Sequence, residues 1–267
     1  MLIDRSRHLL LVLAASLVLF TACSPAPQPQ PTPAGLRVFS SNGVKAIIEE
    51  RQADIERAIG RTLTIEFSTA ASLKTRIAGG DAFDVAILTP ALIDELAATG
   101  AVEAASRTDI ARAGVGVGIR VGAPIPDIDT SDALKRTLLA AGSVAFTAEG
   151  QSRATIDRAF ARLGIVEAMR PKIVLKGPGE APPAVAAGEA DLVVTLVSEI
   201  LPVQGLRLVG PLPSDLQDYV MFTAARSAST TDAEGATALL RYLSSEDLAV
   251  ILPAHGLQPP ARPTGPR

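Results

Sequence analysis

Four short polar clusters, each at the end of an apolar run, carry the groups with which this chain can do chemistry. They are FSSNGVK at 39–45, FSTAASLK at 67–74, FTAEGQSR at 146–153 and VVTLVSEI at 193–200. The hydroxyls of Ser40, Ser41, Ser68, Thr69, Thr147, Ser152 and Thr195, with the amides of Asn42 and Gln151, donate hydrogen bonds without adding charge. That set suits a small desolvated anion, because every lone pair of a buried anion needs a partner. Ser, Thr and Asn at a strand-to-helix junction are also ordinary helix caps. Singly, each cluster reads as a cap; four at corresponding positions point to a cleft. Lys45 and Arg153 stand one turn or less from the clusters. An arginine fork there matches a carboxylate or phosphate on a larger solute.

Composition excludes much other chemistry. His8 lies in the N-terminal leader, so His255 is the one histidine beyond it, and Cys23 is the single cysteine. A His/Cys metal site and Cys–His catalysis are therefore excluded. His255, in PAHGLQPP, reads as a solvated or capping residue. The pairs Asp81/Asp84 and Glu189/Asp191 flank expected strands, and nothing sets one carboxylate apart as acid or base. No catalytic residue, metal or cofactor is expected. The GVGVG run at 114–118 leads into more strand, IRVG, where a dinucleotide fingerprint needs a helix. The chain has no Trp and no basic run, so nucleic acid is not an expected partner.

The elements that must position these clusters begin after a leader. Arg5 and Arg7 precede an uninterrupted apolar run from Leu9 to Phe20, then small residues before Cys23. Residues 1–22 read as a signal peptide; the apolar run falls short of the roughly 20 residues a membrane span needs. Cys23 after Thr-Ala resembles a lipobox, with Phe20 where leucine is usual, so Cys23 is the expected lipidation site. Residues 23–35 form a Pro-rich tether, and 261–267 a flexible tail. Setting aside Arg5, Arg7 and Asp4 moves the net charge from −3 to −4. Roughly 230 residues remain, enough for one large domain or two lobes.

Through those residues, short apolar runs alternate with helical patterns. LRVFS, LTIEF, FDVAIL, GVGVGIRV, SVAFT, KIVLK, DLVVTL and YVMFTAA read as strands. Val44, Ile47, Ile48, Ile55, Ala58 and Ile59 fall at helical spacing, closed by Gly60. STAASLKTRIAGG, the segment after Thr89-Pro90, and DALKRTLLAAG capped by Ser131 are expected helices. QSRATIDRAFARLG follows, with Ile156, Ala159, Phe160 and Leu163 inward. EAPPAVAAG is a short helical piece, and two helices lie near the C-terminus. The alternation predicts an α/β fold with mostly parallel sheets flanked by helices. The segments near 114–121 and 219–224 read as two links between lobes.

From Leu36 to Leu257 the order and spacing of VFSSNGVKAI, FSTAASLKTRI, GGDAFDVAIL, FTAEGQSR, GEADLVVTLVSEI and YLSSEDLAVILPAHGL resemble one family. It is the periplasmic solute-binding proteins of ABC transporters, type II fold, molybdate-binding branch. The resemblance implies a two-lobed fold: lobe 1 from 36–114 plus 220–260, lobe 2 from 115–219. It implies an oxyanion held by hydroxyls and backbone N–H groups of both lobes. The contacts would fall on Ser41 or Asn42, on Ser68 or Thr69, and near Gln151 or Ser152. The family often has a tyrosine after the ADL strand, where this chain has Thr195 and Leu196. The resemblance implies a monomeric, non-enzymatic, membrane-anchored periplasmic lipoprotein that hands a small anion to an ABC permease. A tetrahedral oxyanion is the first expected ligand and a small organic anion the second. Alternatives are a sensing or scaffolding subunit, and a carboxylate-dependent hydrolase.

Overall fold

A computed structural model describes residues 35–260. The leader, Cys23, the Pro-rich segment up to Ala34 and the tail at 261–267 lie outside the described residues. The first third of the fold runs β1 (Leu36–Ser41), a 3-10 turn (Asn42–Val44), α1 (Lys45–Ile59), β2 (Leu63–Ser68), α2 (Ala70–Ala78), β3 (Val85–Leu88) and α3 (Pro90–Ala98). A long strand β4 (Thr108–Arg120) leads to α4 (Ser131–Ala140), β5 (Val144–Thr147), α5 (Arg153–Leu163) and α6 (Val166–Met169). Then come β6 (Ile173–Lys176), α7 (Ala181–Ala186), β7 (Leu192–Leu196), α8 (Val197–Ile200) and β8 (Leu206–Pro211). The chain closes with β9 (Tyr219–Arg226), α9 (Ala233–Leu243), α10 (Glu246–Ile251) and β10 (Leu257–Gln258).

The strand order is β2-β1-β3-β9-β4-β7-β5-β6, with β8 and β10 also on β4. Two parallel triplets result. β1 lies between β2 and β3, and β5 between β6 and β7. Antiparallel β9 and β4 join them. β3 and β5 are buried along their whole length, as expected of strands covered on both faces. The triplets are the sheets of two lobes, and their C-terminal strand ends carry the polar clusters.

β4 passes from one lobe to the other. Gly114 faces Tyr219 on β9, and the next residue, Val115, faces Leu196 on β7. At that step Gln217 takes over part of a strand's work. Its Nε2 donates to the Val115 carbonyl at 2.7 Å, and its Oε1 accepts from the Val115 N–H at 2.9 Å. The glycines of GVGVG are there for space. A Cβ on Gly116 would stand 2.9 Å from the Gly210 carbonyl oxygen, and one on Gly118 2.8 Å from Val193.

Helix interiors follow the apolar spacing. Ile47, Ile48 and Ile55 of α1 are buried, as are Ile156, Ala159, Phe160 and Leu163 of α5, each such large side chain contributing about 1.5–3 kcal/mol. Gly60 ends α1 in the left-handed conformation at φ 66°. Several expectations are corrected. Ala58 is exposed. Thr130, not Ser131, caps α4 by accepting from the Ala133 N–H, while the Ser131 hydroxyl donates to Asp215. Thr89 stands at the α3 cap position without a side-chain cap bond. The strand expected from 114 begins at Thr108, because pairing with β9 carries it through the polar Asp109 and Arg112. β8, in LRLVGP, has no sequence signal beyond its apolar content. Among the described residues, no helix is long and apolar enough to cross a membrane.

Candidate functional site

In parallel α/β sheets the helix entrances beyond the strand ends gather unpaired N–H groups and favour negative charge. In this fold those entrances meet. Asn42 follows β1, Ser68 and Thr69 end β2 and open α2, and Thr147, Gly150 and Gln151 join β5 to α5. Together with Gly179, after β6, and Glu199, in α8, they enclose a space of about 10 Å³. That volume is near the room one water needs, so the two lobes stand close. The wall holds neutral donors and one carboxylate, with no lysine, arginine or histidine. Asn42, Gly179 and Glu199 also line a larger space of about 710 Å³. Its wall carries Lys45, Glu49, Lys176, Glu180 and Glu189. Lys45 pairs with Glu49 at 3.7 Å and Lys176 with Glu189 at 2.5 Å.

Five of the candidate residues are therefore brought together: Asn42, Ser68, Thr69, Thr147 and Gln151. Two behave differently from each other. Thr69 is a working cap, accepting from the Ser72 N–H at 3.2 Å. Gln151 keeps a buried Nε2 with no partner among the described residues. The other candidates lie outside this wall. Ser41 is fully buried at the start of the 3-10 turn, and its Oγ neither caps nor finds a partner among the described residues. Ser40 donates to the Ser41 carbonyl at 3.3 Å. Ser152 is buried at the N-cap of α5 without a cap bond. Arg153 turns to Asp157 at 2.8 Å and lies over the Phe146 ring. The site has neutral donors where an arginine clamp was one option.

Thr195 is 1% exposed and points to the residue that sequence reading passed over. Its hydroxyl donates to Glu199 Oε2 at 2.5 Å. Burial raises the Glu199 carboxyl above the ordinary value of 4.5, and the Thr195 hydrogen bond opposes that rise. No lysine or arginine among the described residues pairs with it. Glu199 sits one turn after Thr195, across the strand-to-helix junction. A hydroxyl followed four residues later by a carboxylate was the available signal, but solvated helix ends show the same pattern. Ser198, beside it, is 4% exposed, and its Oγ has no partner among the described residues.

The carboxylates of the pairs Asp81/Asp84 and Glu189/Asp191 have structural partners. Asp84 accepts from the Arg37 N–H and the Thr230 hydroxyl, Asp81 from Arg76, and Asp191 from the Gly142 and Ser143 N–H groups. His255 lies 3.5 Å from Glu50 and lines neither space. Leu196, in place of the tyrosine, packs against the 3-10 turn: a Cβ on Gly43 would stand 2.9 Å from it and 2.2 Å from Phe222.

The profile of bacterial extracellular solute-binding proteins matches residues 36–258, the whole of the two-lobed body. The chain belongs to that family. A similar protein is an aconitate isomerase of a Pseudomonas species, 33% identical over 235 residues, covering 85% of this chain and 89% of that protein. Among solved structures, the periplasmic molybdate-binding protein of Azotobacter vinelandii superposes with a TM-score of 0.73 at 16% identity, covering 84% of this chain and 99% of that one. The sulfate-binding protein of Mycobacterium tuberculosis superposes at 0.67 and 17% identity, over 85% and 88%. At these identities the solved structures establish the fold, the two-lobed type II periplasmic binding fold. A relative at 33% identity is thus named for a reaction.

Proposed function

We propose that this protein is an extracytoplasmic receptor that captures a small anion between its lobes, with a carboxylate-bearing solute ahead of a tetrahedral oxyanion. The observation that carries this reading is the wall of the inner space. Donors from both lobes converge there, Gln151 Nε2 has no partner among the described residues, and that wall holds no lysine, arginine or histidine. The order of ligands reverses the sequence expectation because Asn42, Gly179 and Glu199 line both spaces, so an organic acid can place one carboxylate at the inner donors. The adjoining 710 Å³ then has room for the rest of the molecule, with Lys45 and Lys176 in its wall.

In this reading residues 36–114 with 220–260, and residues 115–219, are lobes that close about the crossing of β4 and β9. Residues 1–22 direct export, Cys23 anchors the protein to the membrane, and an ABC permease receives the solute. A second reading is favoured by the relative named an aconitate isomerase and by Glu199: the cleft binds an unsaturated polycarboxylate and rearranges it.

Thermal unfolding with molybdate, tungstate, sulfate, phosphate, citrate, malate and cis- and trans-aconitate, beside a sugar and an amine, tests the receptor reading. A ligand at 100 times its Kd adds about 2.7 kcal/mol of stability. A response confined to carboxylates supports carboxylates as the first ligand class, and a response confined to tetrahedral oxyanions reverses the order. Stabilisation by a sugar or amine alone refutes anion binding.

A further inference from the structure

We infer that Glu199 is a proton-transfer group, positioned by Thr195, that moves a double bond by one carbon in a bound unsaturated carboxylate. This role rests on the proposed binding of a small carboxylate in the cleft.

The geometry is specific. Glu199 is the one carboxylate lining the inner space, and it also lines the outer one. Its Oε2 is held by the Thr195 hydroxyl. Its Oε1 has no hydrogen-bond partner among the described residues, and no cation is paired with the group. A receptor for an anion gains nothing from an unpaired carboxylate in its wall, since like charges there repel. A base for a carbon-bound proton gains two things. Burial raises the carboxyl's proton affinity toward the operating pH, where general bases work best. The neutral donors Asn42, Thr69 and Gln151 can hold the substrate carboxylate that takes up charge as the proton leaves.

The step balances without a cofactor. In a skeleton –CH=C–CH₂– flanked by carboxylates, ionised Glu199 removes one proton from the CH₂ carbon. The C–H electrons form the new double bond, and the old π pair shifts to the far carbon. That carbon takes a proton from the Glu199 carboxyl, which returns to its ionised form. One proton leaves, one arrives, and nothing is oxidised or reduced. The charged groups facing this space are Lys45 and Glu49 from α1, Lys176 from β6, Glu180 before α7 and Glu189 in the loop after it. Lys45 and Lys176 are already paired with Glu49 and Glu189, which leaves Glu199 as the unpaired titrating group next to the inner donors.

The test incubates the full chain with trans-aconitate in D₂O and follows proton NMR, with thermal shift on the same samples. The expected result is loss of the CH₂ and vinyl signals to deuterium together with appearance of the cis isomer. Glu199→Gln should lower the saturated rate by about 10²–10⁴-fold, with half-saturation moving less than tenfold. Thr195→Val removes the hydrogen bond that favours the ionised form, so the rising limb of the pH–rate profile should move to higher pH. A merely structural role would lower the amount of folded protein without moving that limb. Aconitate that stabilises the protein but neither exchanges nor isomerises overturns the proton-transfer role while leaving the receptor reading intact. Turnover by Glu199→Gln at the wild-type rate overturns it as well. If no carboxylate in the panel stabilises the protein, the proton-transfer role falls together with carboxylates as the ligand class.

Discussion

Thr195 and Glu199 hold one another across the end of β7, the hydroxyl of the first donating to Oε2 of the second at 2.5 Å. The bond fixes a carboxylate at the entrance to α8 where two lobes meet. It also opposes the effect of burial on that carboxylate.

The pH dependence of stability follows from this. Glu199 has a folded value raised above 4.5, so the folded state holds its proton where the unfolded chain has released it. The stability this contributes is complete below 4.5 and is lost as pH rises through the folded value. Glu199→Gln cannot titrate. Its stability relative to wild type should therefore grow with pH through that window, by at most about 1.4 kcal/mol per pH unit for one proton. Melting curves of both proteins across a pH series measure this. Parallel profiles would contradict it.

Gly43 is expected to be intolerant of a side chain for steric reasons alone. A Cβ there meets Phe222 at 2.2 Å and Leu196 at 2.9 Å, both buried core residues. Gly43→Ala should cost about 1–3 kcal/mol through overpacking and displace Asn42, which lines the site. Denaturant unfolding gives the first effect and ligand-induced stabilisation the second.

Gln217→Leu should loosen the crossing of the lobes. It removes both hydrogen bonds to Val115 and leaves a backbone N–H buried without that partner, a loss of about 1–3 kcal/mol. Hydrogen exchange at Val115 should accelerate more than at β1 or β5.

Asp232 couples a cap to an ion pair. It accepts from the Gly235 N–H at 2.9 Å and from Arg61 Nε at 2.6 Å. The Arg61 hydrogen bond, then the Gly235 N–H, lower its carboxyl below the ordinary 3.8. Asp232→Ala should cost roughly 1 kcal/mol or somewhat more at neutral pH. Because a lowered carboxyl stabilises above its unfolded pKa and ceases to do so as pH falls through its folded one, the gap to wild type should shrink below pH 3.8. A gap that stays constant into acid would show that the ionised form contributes nothing.

The fold was legible because its signals are local. Alternating apolar runs and helical spacing place β1 through β7, and Gly60 ends α1 as its position suggests. What was hidden depends on partners distant in sequence. Thr108–Ala113 reads as broken by Asp109 and Arg112 until β9 pairs with it. Ser131 and Thr130 are equally good caps on paper, and Asp215, far along the chain, takes Ser131 away. The same holds at the site. Asn42, Ser68, Thr69, Thr147 and Gln151 were readable as donors because each follows or ends an apolar strand. Glu199 stands in the VVTLVSEI cluster with nothing local to distinguish it. Its character comes from burial and from the absence of a paired cation, and no window of sequence displays either.

The most direct measurement of the central claim is amide hydrogen exchange with and without a saturating carboxylate, aconitate first. Binding between the lobes predicts slower exchange in the segments around 41–45, 68–73, 147–154 and 196–200 together, because one ligand must touch all four. Protection confined to one lobe, or to another surface such as the space of about 570 Å³ lined by Arg120 and Gly188, would contradict the account.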